Sequence, residues 1–249
     1  MSKRISGRTS AKRWERRCCS HLFLRYDGVM RAPSNKPSQD RPVILLTGFS
    51  SFPGVPDNVT ERLVPELAQR ARVGFPPFDF ETEILETVWQ SAPRRITQLR
   101  NHHNPVLVLH FGVAKSASGF RIESHARNAC SLTSDAHGHI PASQTICQSG
   151  PEVRPVTIPT RDIVTRLRQL GFPAEVSDDA GGYLCNAVLY HSLDLAETAA
   201  SAGPATGFIH IPFEFSDGGL SHEASVTGAL EIIAVCISAL ASQLVPQKD

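Results

Sequence analysis

The stretch that decides the fold is "PAEVSDDAGGYLCNAVLYHSLDLA", residues 173–196, because it reads as a strand, a glycine turn and a helix in succession. Residues 173–180 have the pattern of a strand, and a helix is predicted to begin at Cys185, just after the two glycines. A helix start carries unpaired N–H groups and the positive end of the helix dipole, which together favour the ionised form of a thiol. Cys185 is therefore a candidate nucleophile, and its alternative role is that of a small packing residue.

The same alternation of strand and helix continues along the chain from Pro42 onwards. The further strand patterns cover residues 43–49, 80–88, 105–114, 120–126 and 207–212, and the helical patterns cover 59–72, 93–102, 160–170 and 219–244. Strands separated by helices of this length need crossover connections, which produce a largely parallel sheet. We therefore predict an α/β fold with three layers, α/β/α, in which a twisted, mostly parallel open sheet is covered by helices on both faces.

The composition fits one soluble domain with an appendage. The chain has 249 residues, of which 41% are hydrophobic and 20% charged. We expect no apolar run to reach the roughly 20 residues that cross a bilayer. The longest candidate, residues 229–244, contains Glu231 and two serines, and it predicts a packed helix. Residues 41–249 are accordingly predicted to form a single α/β domain without a membrane segment.

Residues 1–40 differ from the rest, with ten Lys and Arg against three Asp and Glu and with little periodic hydrophobicity. This composition predicts a basic, disordered N-terminal arm. Three interpretations stay open: an arm with nonspecific affinity for nucleic acid, a targeting segment, or a translated stretch ahead of a functional start at Met30. Residues 41–249 carry fifteen basic and twenty-one acidic residues, so we do not expect the domain itself to bind nucleic acid.

The cysteines do not form a recognisable framework. Six are present, at positions 18, 19, 130, 147, 185 and 236, without a C-x-x-C pair. Neither a zinc site nor a disulfide scaffold is indicated, and the thiols are expected to be reduced, as in the cytoplasm. We expect no metal and no cofactor.

A histidine is predicted to lie beside Cys185. In open α/β sheets, sites form at the carboxyl ends of the strands. A right-handed crossover from strand 173–180 to strand 207–212 would bring His210 to the edge where Cys185 lies. Taken alone, a histidine between Ile209 and Ile211 is more typical of a satisfied core residue. Beside a helix-start thiol, it becomes a candidate general base.

A Cys-His pair also needs a group that orients the imidazole and stabilises its cation. Glu123, in "GFRIESHA", is an acidic residue in a β-type segment and is a candidate for this role. Asp178 and Asp179, which closely precede Cys185, are alternative candidates to Glu123 for this role, although acids also commonly end a strand. The residues alone leave this choice open.

Four segments resemble pyroglutamyl peptidase I, also called pyrrolidone carboxyl peptidase, a family of cysteine peptidases. They are "LLTGFSSFPGVPDN" (45–58), "FRIESHARN" (120–128), "EVSDDAGGYLCNAVLYHSL" (175–193) and "GFIHIPF" (207–213). The resemblance implies removal of an N-terminal pyroglutamate (5-oxoproline) from peptides through a thioester intermediate. By position, it implies Cys185 as nucleophile, His210 as general base and acid, and Glu123 as the residue that holds the histidine.

The same resemblance implies which residues bind the substrate. Phe49 and Phe52 would enclose the lactam ring, and Asn58 would contact the substrate. Tyr183 and Leu184 would form the pocket wall just before the nucleophile. The family also implies N-terminally blocked peptides as substrates, no metal, and a homotetramer.

Two departures from the family concern the surroundings of the site. Val113 stands where the family commonly has a glutamine, and Leu132-Thr133-Ser134 stands where an arginine is usual. An alternative function is therefore that of a catalytically impaired homologue that binds a pyroglutamyl-like cyclic amide. The sequence contains no G-x-S-x-G motif, which argues against an unrelated α/β hydrolase.

Overall fold

Eight strands lie in the part of the chain that the computed structural model describes, residues 41–197, 203–213, 215 and 220–244. They are β1 (Val43–Phe49), β2 (Asp79–Leu85), β3 (Leu107–Ala114), β4 (Phe120–Glu123), β5 (His125–Arg127), β6 (Val153–Pro155), β7 (Ala174–Ser177) and β8 (Ala205–Pro212). Six of them form one sheet in the order β2-β1-β3-β8-β4-β7, and β5 pairs with β6 in a second sheet. The predicted arm, residues 1–40, lies outside the described residues.

Five helices within the same ranges cover the six-stranded sheet. They are α1 (Thr60–Gly74), α2 (Ser91–His103), α3 (Thr160–Gln169), α4 (Leu184–Glu197) and α5 (His222–Leu244). The first, third and fifth pack together on one face, and α2 and α4 pack together on the other. The predicted α/β/α layers are confirmed. The short strand β6 was not predicted, and the segment "FRIESHA" is divided between β4 and β5.

Two of the six strands run opposite to the other four. Strands β1, β2, β3 and β8 are mutually parallel, whereas β4 is antiparallel to β8 and parallel to β7. Strand β7 therefore runs opposite to β8, with β4 between them, and the predicted simple crossover from β7 to β8 was wrong. The loop at residues 178–183, rather than strand direction, brings the chain back to the end of β8. Pairing between distant segments decides this order, which local patterns do not encode.

One row of residues crosses the sheet at a single level. The strand register places Gly112 of β3 opposite His210 of β8, His210 opposite Arg121 of β4, and Arg121 opposite Glu175 of β7. The pairing of β1 with β3, continued by two residues from its last pair, brings Phe49 level with Gly112. Residues opposite each other in neighbouring strands point to the same face of the sheet. We call these five residues the cross-sheet row.

A buried chain of hydrogen bonds fixes α4 against this face. Thr47 Oγ1 lies 2.7 Å from His110 Nδ1, and His110 Nε2 lies 2.8 Å from Ser192 Oγ. All three side chains are fully buried. Ser192 lies seven residues, two helical turns, after Cys185, so both residues occupy the same face of α4. The chain therefore sets the position of Cys185 along the sheet.

Helix α5 corrects the expectation about apolar length. Over His222–Ser242 it is long and apolar enough, by length and composition, to cross a membrane. However, 56% of the apolar window is buried inside the protein, which is typical of a core helix. Glu231, the charged residue in this helix that argued for packing, accepts a hydrogen bond from Arg166 Nε of α3 at 2.8 Å. Helix α5 thus packs as predicted, although its apolar stretch is longer than the predicted run of residues 229–244.

The state of His110 should make folding stability depend on pH. Burial, with a smaller contribution from the charge of Arg100, lowers the pKa of His110 from 6.5 to about 3. Between pH 6.5 and about pH 3, the unfolded chain therefore carries a proton on the imidazole of His110 that the folded protein does not bind. This residue should reduce the free energy of unfolding by up to about 1.4 kcal/mol per pH unit in that window.

Urea unfolding of wild type and His110→Gln between pH 7 and pH 4 tests this expectation. In the variant, the free energy of unfolding is expected to fall less steeply as the pH is lowered, because glutamine does not titrate. His102→Gln, a substitution at an exposed position on α2, is expected to keep the wild-type slope. If the free energy of unfolding of His110→Gln falls with decreasing pH as steeply as that of wild type, His110 is not a neutral imidazole in the folded protein.

Candidate active site

A cavity of about 440 Å³ opens at the carboxyl ends of β1, β3 and β8. Seven of the eight predicted site residues line it: Phe49, Phe52, Asn58, Tyr183, Leu184, Cys185 and His210. The eighth, Glu123, is fully buried behind His210. The cavity therefore collects residues that the sequence spreads over five separate elements and loops.

The structure brings Glu123, His210 and Cys185 together. Glu123 Oε1 lies 2.7 Å from His210 Nδ1, and the side chain of Cys185 lies close enough to the same imidazole for its negative charge to raise the pKa of His210. Because Nδ1 faces the carboxylate, Nε2 is the nitrogen left for the sulfur. The antiparallel pairing explains this contact, since Arg121 lies opposite His210 and Glu123 is its diagonal neighbour on the same face.

The surroundings of His210 favour its charged form. Burial alone would lower the pKa of His210, but the negative charges of the Cys185 thiolate and the Glu123 carboxylate, with their hydrogen bonds, outweigh it. Together they raise the pKa of His210 to about 9. Glu123 Oε2 is buried and has no hydrogen-bond partner within the described part of the chain. The carboxylate therefore depends on His210 for its compensation.

The competing acids belong to the turn that leads into α4. Asp179 Oδ1 accepts the Gly181 N–H at 3.0 Å, and Gly181 adopts a left-handed backbone with φ of 79° that suits glycine. The Gly182 carbonyl accepts from both the N–H and the hydroxyl of Ser131, at 2.7 and 2.8 Å. Asp179 thus shapes the turn before Cys185 and is not the partner of His210.

Asn186, beside Cys185, was missed by the sequence analysis. Its side chain is buried, accepts the Arg127 N–H at 2.9 Å, and donates to the carbonyls of Arg127 and Ala129, both at 2.8 Å. These bonds join the first turn of α4 to β5. A polar residue on the apolar side of a helix was the available signal, because a buried amide needs partners.

Gly112 was also missed, and its missing side chain is what the site requires. A Cβ built at this position would lie 2.7 Å from Cζ of Phe208 and 3.1 Å from Sγ of Cys185. The first distance is shorter than packed carbon atoms tolerate, so the ring and the helix could not keep their places. Glycine in the cross-sheet row therefore lets the sulfur lie directly over β3.

Aromatic rings form the opposite wall of the cavity. The ring of Phe49 lies 6.2 Å from that of Phe208, and the ring of Phe52 lies 5.6 Å from that of Tyr183. Trp89, which the sequence analysis did not consider, contacts Tyr183 edge-on at 5.3 Å. Rings at these separations support one another, so Tyr183 is held from two sides.

The loop that replaces the family's usual arginine holds this wall from outside. The Thr133 carbonyl accepts from Trp89 Nε1 at 2.9 Å, and the Ser134 carbonyl accepts from the Tyr183 hydroxyl at 3.0 Å. Val113, the other departure, lines the cavity itself. One departure therefore braces an aromatic wall, and the other makes the lining more apolar.

Asn58 is engaged in shaping the loop after β1. Its Oδ1 accepts from the N–H and the hydroxyl of Thr60, at 3.2 and 2.9 Å, and its Nδ2 donates to the Ser50 carbonyl at 3.2 Å. Thr87 donates its hydroxyl to the same carbonyl at 2.8 Å. Asn58 lines the cavity while it positions this loop, and its contact with substrate stays a prediction.

The thiols differ sharply in their surroundings. Four free cysteines lie within the described ranges, Cys130, Cys147, Cys185 and Cys236. Burial raises the pKa of the Cys130 thiol and raises that of Cys236 to about 12. Of the four, Cys185 is the one that lines the cavity, and its charge is among the causes that raise the pKa of His210. Among the described residues, no three His, Cys, Asp or Glu side chains are grouped as a metal site.

The Gly112→Ala substitution should test the close approach of the sulfur to the sheet. Its methyl group would displace Phe208 and Cys185, so alkylation of Cys185 by iodoacetamide at pH 7 should slow by about tenfold or more, since small misplacements are costly in such pairs. Gly74→Ala is the matched control, because a Cβ there meets nothing within 4 Å. Wild-type alkylation rates in Gly112→Ala would contradict the packing described.

Comparison with known proteins connects this geometry to a family. The profile of the family described as pyroglutamyl peptidase matches residues 43–242. A pyrrolidone-carboxylate peptidase of Halalkalibacterium halodurans is 36% identical over 174 residues, which are 68% of this chain and 83% of the relative. A protein of the same name from Pyrococcus furiosus is 32% identical over 174 residues, 68% of this chain and 80% of the relative.

Solved structures show the same relationship. A mutant pyrrolidone carboxyl peptidase from Pyrococcus furiosus superposes with a TM-score of 0.72 at 26% identity, covering 80% of this chain and 99% of that structure. The resemblance inferred from the four sequence segments is thereby confirmed. The chain belongs to the pyroglutamyl peptidase family of cysteine exopeptidases.

Proposed function

We propose that this protein removes an N-terminal pyroglutamate from peptides, with Cys185 as nucleophile, His210 as general acid and base, and Glu123 as the group that holds the imidazole. The observation that carries the proposal is the hydrogen bond from the buried Glu123 carboxylate to His210, together with the place of His210 beside Cys185 at the wall of the cavity. Membership of the family supports the same activity.

The first chemical step forms a thioester. The Cys185 thiolate attacks the carbonyl carbon that joins pyroglutamate to the next residue, and the electron pair moves to the carbonyl oxygen. The N–H of Cys185, in the first turn of α4 without an intrahelical acceptor, can stabilise that oxyanion. Imidazolium His210 then gives its Nε2 proton to the leaving nitrogen, the C–N bond breaks, and the shortened peptide departs.

The second step returns the protein to its starting state. Neutral His210 takes a proton from a water molecule while the oxygen of that water attacks the thioester carbon. The C–S bond breaks, pyroglutamate leaves, and the thiolate again faces an imidazolium. Glu123 keeps the ring oriented and stabilises its positive charge in both steps.

The walls of the cavity suit a lactam ring. Such a ring is apolar apart from one N–H and one C=O, so its pocket needs flat apolar walls with few fixed polar groups. Phe49, Phe52, Tyr183 and Leu184 supply these walls, and Asn58 positions the loop that carries Phe52. We propose N-terminally blocked peptides of the cytoplasm as substrates. The homotetramer stays a prediction.

A second candidate is a homologue that binds a pyroglutamyl-like cyclic amide with little or no turnover. Val113 favours it, because an apolar side chain lines the cavity where the family commonly supplies an amide. In that case the protein would bind a pyroglutamyl amide without releasing the amine. Loss of Cys185 would then leave binding intact and change no rate.

Release of a fluorescent amine from its pyroglutamyl, prolyl and glutamyl amides tests the proposal. Wild type is expected to cleave the pyroglutamyl amide selectively, and Cys185→Ser should reduce kcat by about a thousandfold or more, as loss of a nucleophile does elsewhere. Cys147→Ser is the matched control, since Cys147 is a free thiol that is partly buried away from the cavity lining.

Two outcomes would count against peptidase activity. One is wild-type protein that binds the pyroglutamyl amide, measured by calorimetry, without releasing amine, which would establish the binding-only alternative. The other is equal turnover in wild type and Cys185→Ser, which would remove the thiol from the mechanism.

A further inference from the structure

One wall of the cavity has no part in the mechanism above. It is formed by Ser116, Arg121 and Asp179, on the side of the cavity away from β1. Arg121 donates from Nη1 to Ser116 Oγ at 2.9 Å and from Nη2 to Ser177 Oγ at 3.0 Å. Its side chain is 22% exposed. The wall therefore presents a guanidinium that is held in place while still open to the cavity.

The cross-sheet row gives this wall a defined place in the reaction. In order across the sheet stand Phe49, Gly112 with the Cys185 sulfur over it, His210, and Arg121. Under the proposed function, the lactam ring lies at the Phe49 end and the scissile carbonyl lies at the sulfur. The leaving nitrogen lies at His210, which protonates it, so the remaining peptide continues toward Arg121.

The distances make contact with the first leaving residue feasible. Neighbouring strands lie about 4.8 Å apart, so Arg121 stands about one strand spacing beyond His210. An extended peptide advances about 3.3 Å per residue. A carboxylate on the first residue after pyroglutamate therefore comes within reach of the guanidinium, whereas later residues extend beyond it.

We propose that Arg121 is a specificity-determining residue that receives a carboxylate of the residue following pyroglutamate. The carboxylate comes from an acidic side chain or, in a dipeptide, from the free C-terminus. Both offer the planar pair of oxygens that a guanidinium binds best. The inference rests on the proposed function, because that reaction sets the direction of the peptide along the row.

Two acids of the protein limit the strength of this preference. Glu175 Oε1 lies 3.0 Å from Arg121 Nε, but its side chain is 58% exposed, so solvent screens the pair. Asp179 lines the same wall, with Oδ1 engaged by the Gly181 N–H. A substrate carboxylate competes with Glu175 for the guanidinium. Removing Glu175 should therefore strengthen the preference, and removing Arg121 should abolish it.

The test compares kcat/KM for matched substrates that differ in one carboxylate. Pyroglutamyl-glutamate amide is compared with pyroglutamyl-glutamine amide for the side chain, and pyroglutamyl-alanine with its amide for the free C-terminus. At low salt, wild type is expected to prefer at least one carboxylate form by about three- to tenfold. The preference should shrink in 0.5 M NaCl, where the Debye screening length is below about 5 Å.

Three variants make the test specific. Arg121→Met should bring both ratios to about one, and Glu175→Gln should raise the wild-type preference about twofold or more, as expected when a competing charge is lost. Arg95→Met is the matched control, because Arg95 of α2 also pairs with a carboxylate, that of Glu83 in β2, at 2.7 Å and outside the cavity lining. It should leave both ratios at their wild-type values.

The outcomes separate this inference from the function on which it rests. Hydrolysis of the glutamine amide with no carboxylate preference, or a preference that survives in Arg121→Met, overturns the role of Arg121 alone. Absence of hydrolysis of every substrate overturns the proposed function and this inference together. If Arg121→Met does not fold, an unchanged ratio in Glu175→Gln still overturns the proposal.

Discussion

The hydrogen bond between Glu123 and His210 is the interaction on which the rest of the site depends. A fully buried carboxylate with one oxygen unpartnered among the described residues is costly unless a charge compensates it. His210 supplies that charge, and the Cys185 thiolate on its other side stabilises the same imidazolium. This arrangement exists because β4 pairs with β8 in the antiparallel direction, which sets Glu123 diagonally beside His210.

The cross-sheet row sets the order in which residues of the cavity follow one another across the sheet. Each of these strands contributes one residue: the aromatic ring of Phe49 on β1, Gly112 under the sulfur on β3, the imidazole of His210 on β8 and the guanidinium of Arg121 on β4. Helix α4 places Cys185 over the row, and the helix is held there by the buried hydrogen-bond chain through His110 and by the amide of Asn186. The departures at Val113 and at residues 132–134 change the lining and its support while the three central side chains keep their places.

The sequence predicted what depends on local pattern. Strand and helix positions, the helix-start thiol and the strand histidine all follow from periodicity and from the chemistry of helix ends, and they agree with the structure to within a few residues. The direction of β4 and the roles of Gly112, Asn186 and Arg121 were not predicted. Each of these depends on register between segments far apart in the chain, which single-sequence patterns do not contain.

The most direct test of the central claim is an NMR titration of the His210 imidazole in wild type and in Glu123→Gln. Glutamine keeps an oxygen acceptor for Nδ1 but removes the charge. We expect a pKa of His210 of about 9 in wild type. Glu123→Gln should lower its proton affinity by about tenfold or more, since loss of an adjacent opposite charge has effects of this size. An unchanged titration in the variant would contradict the account.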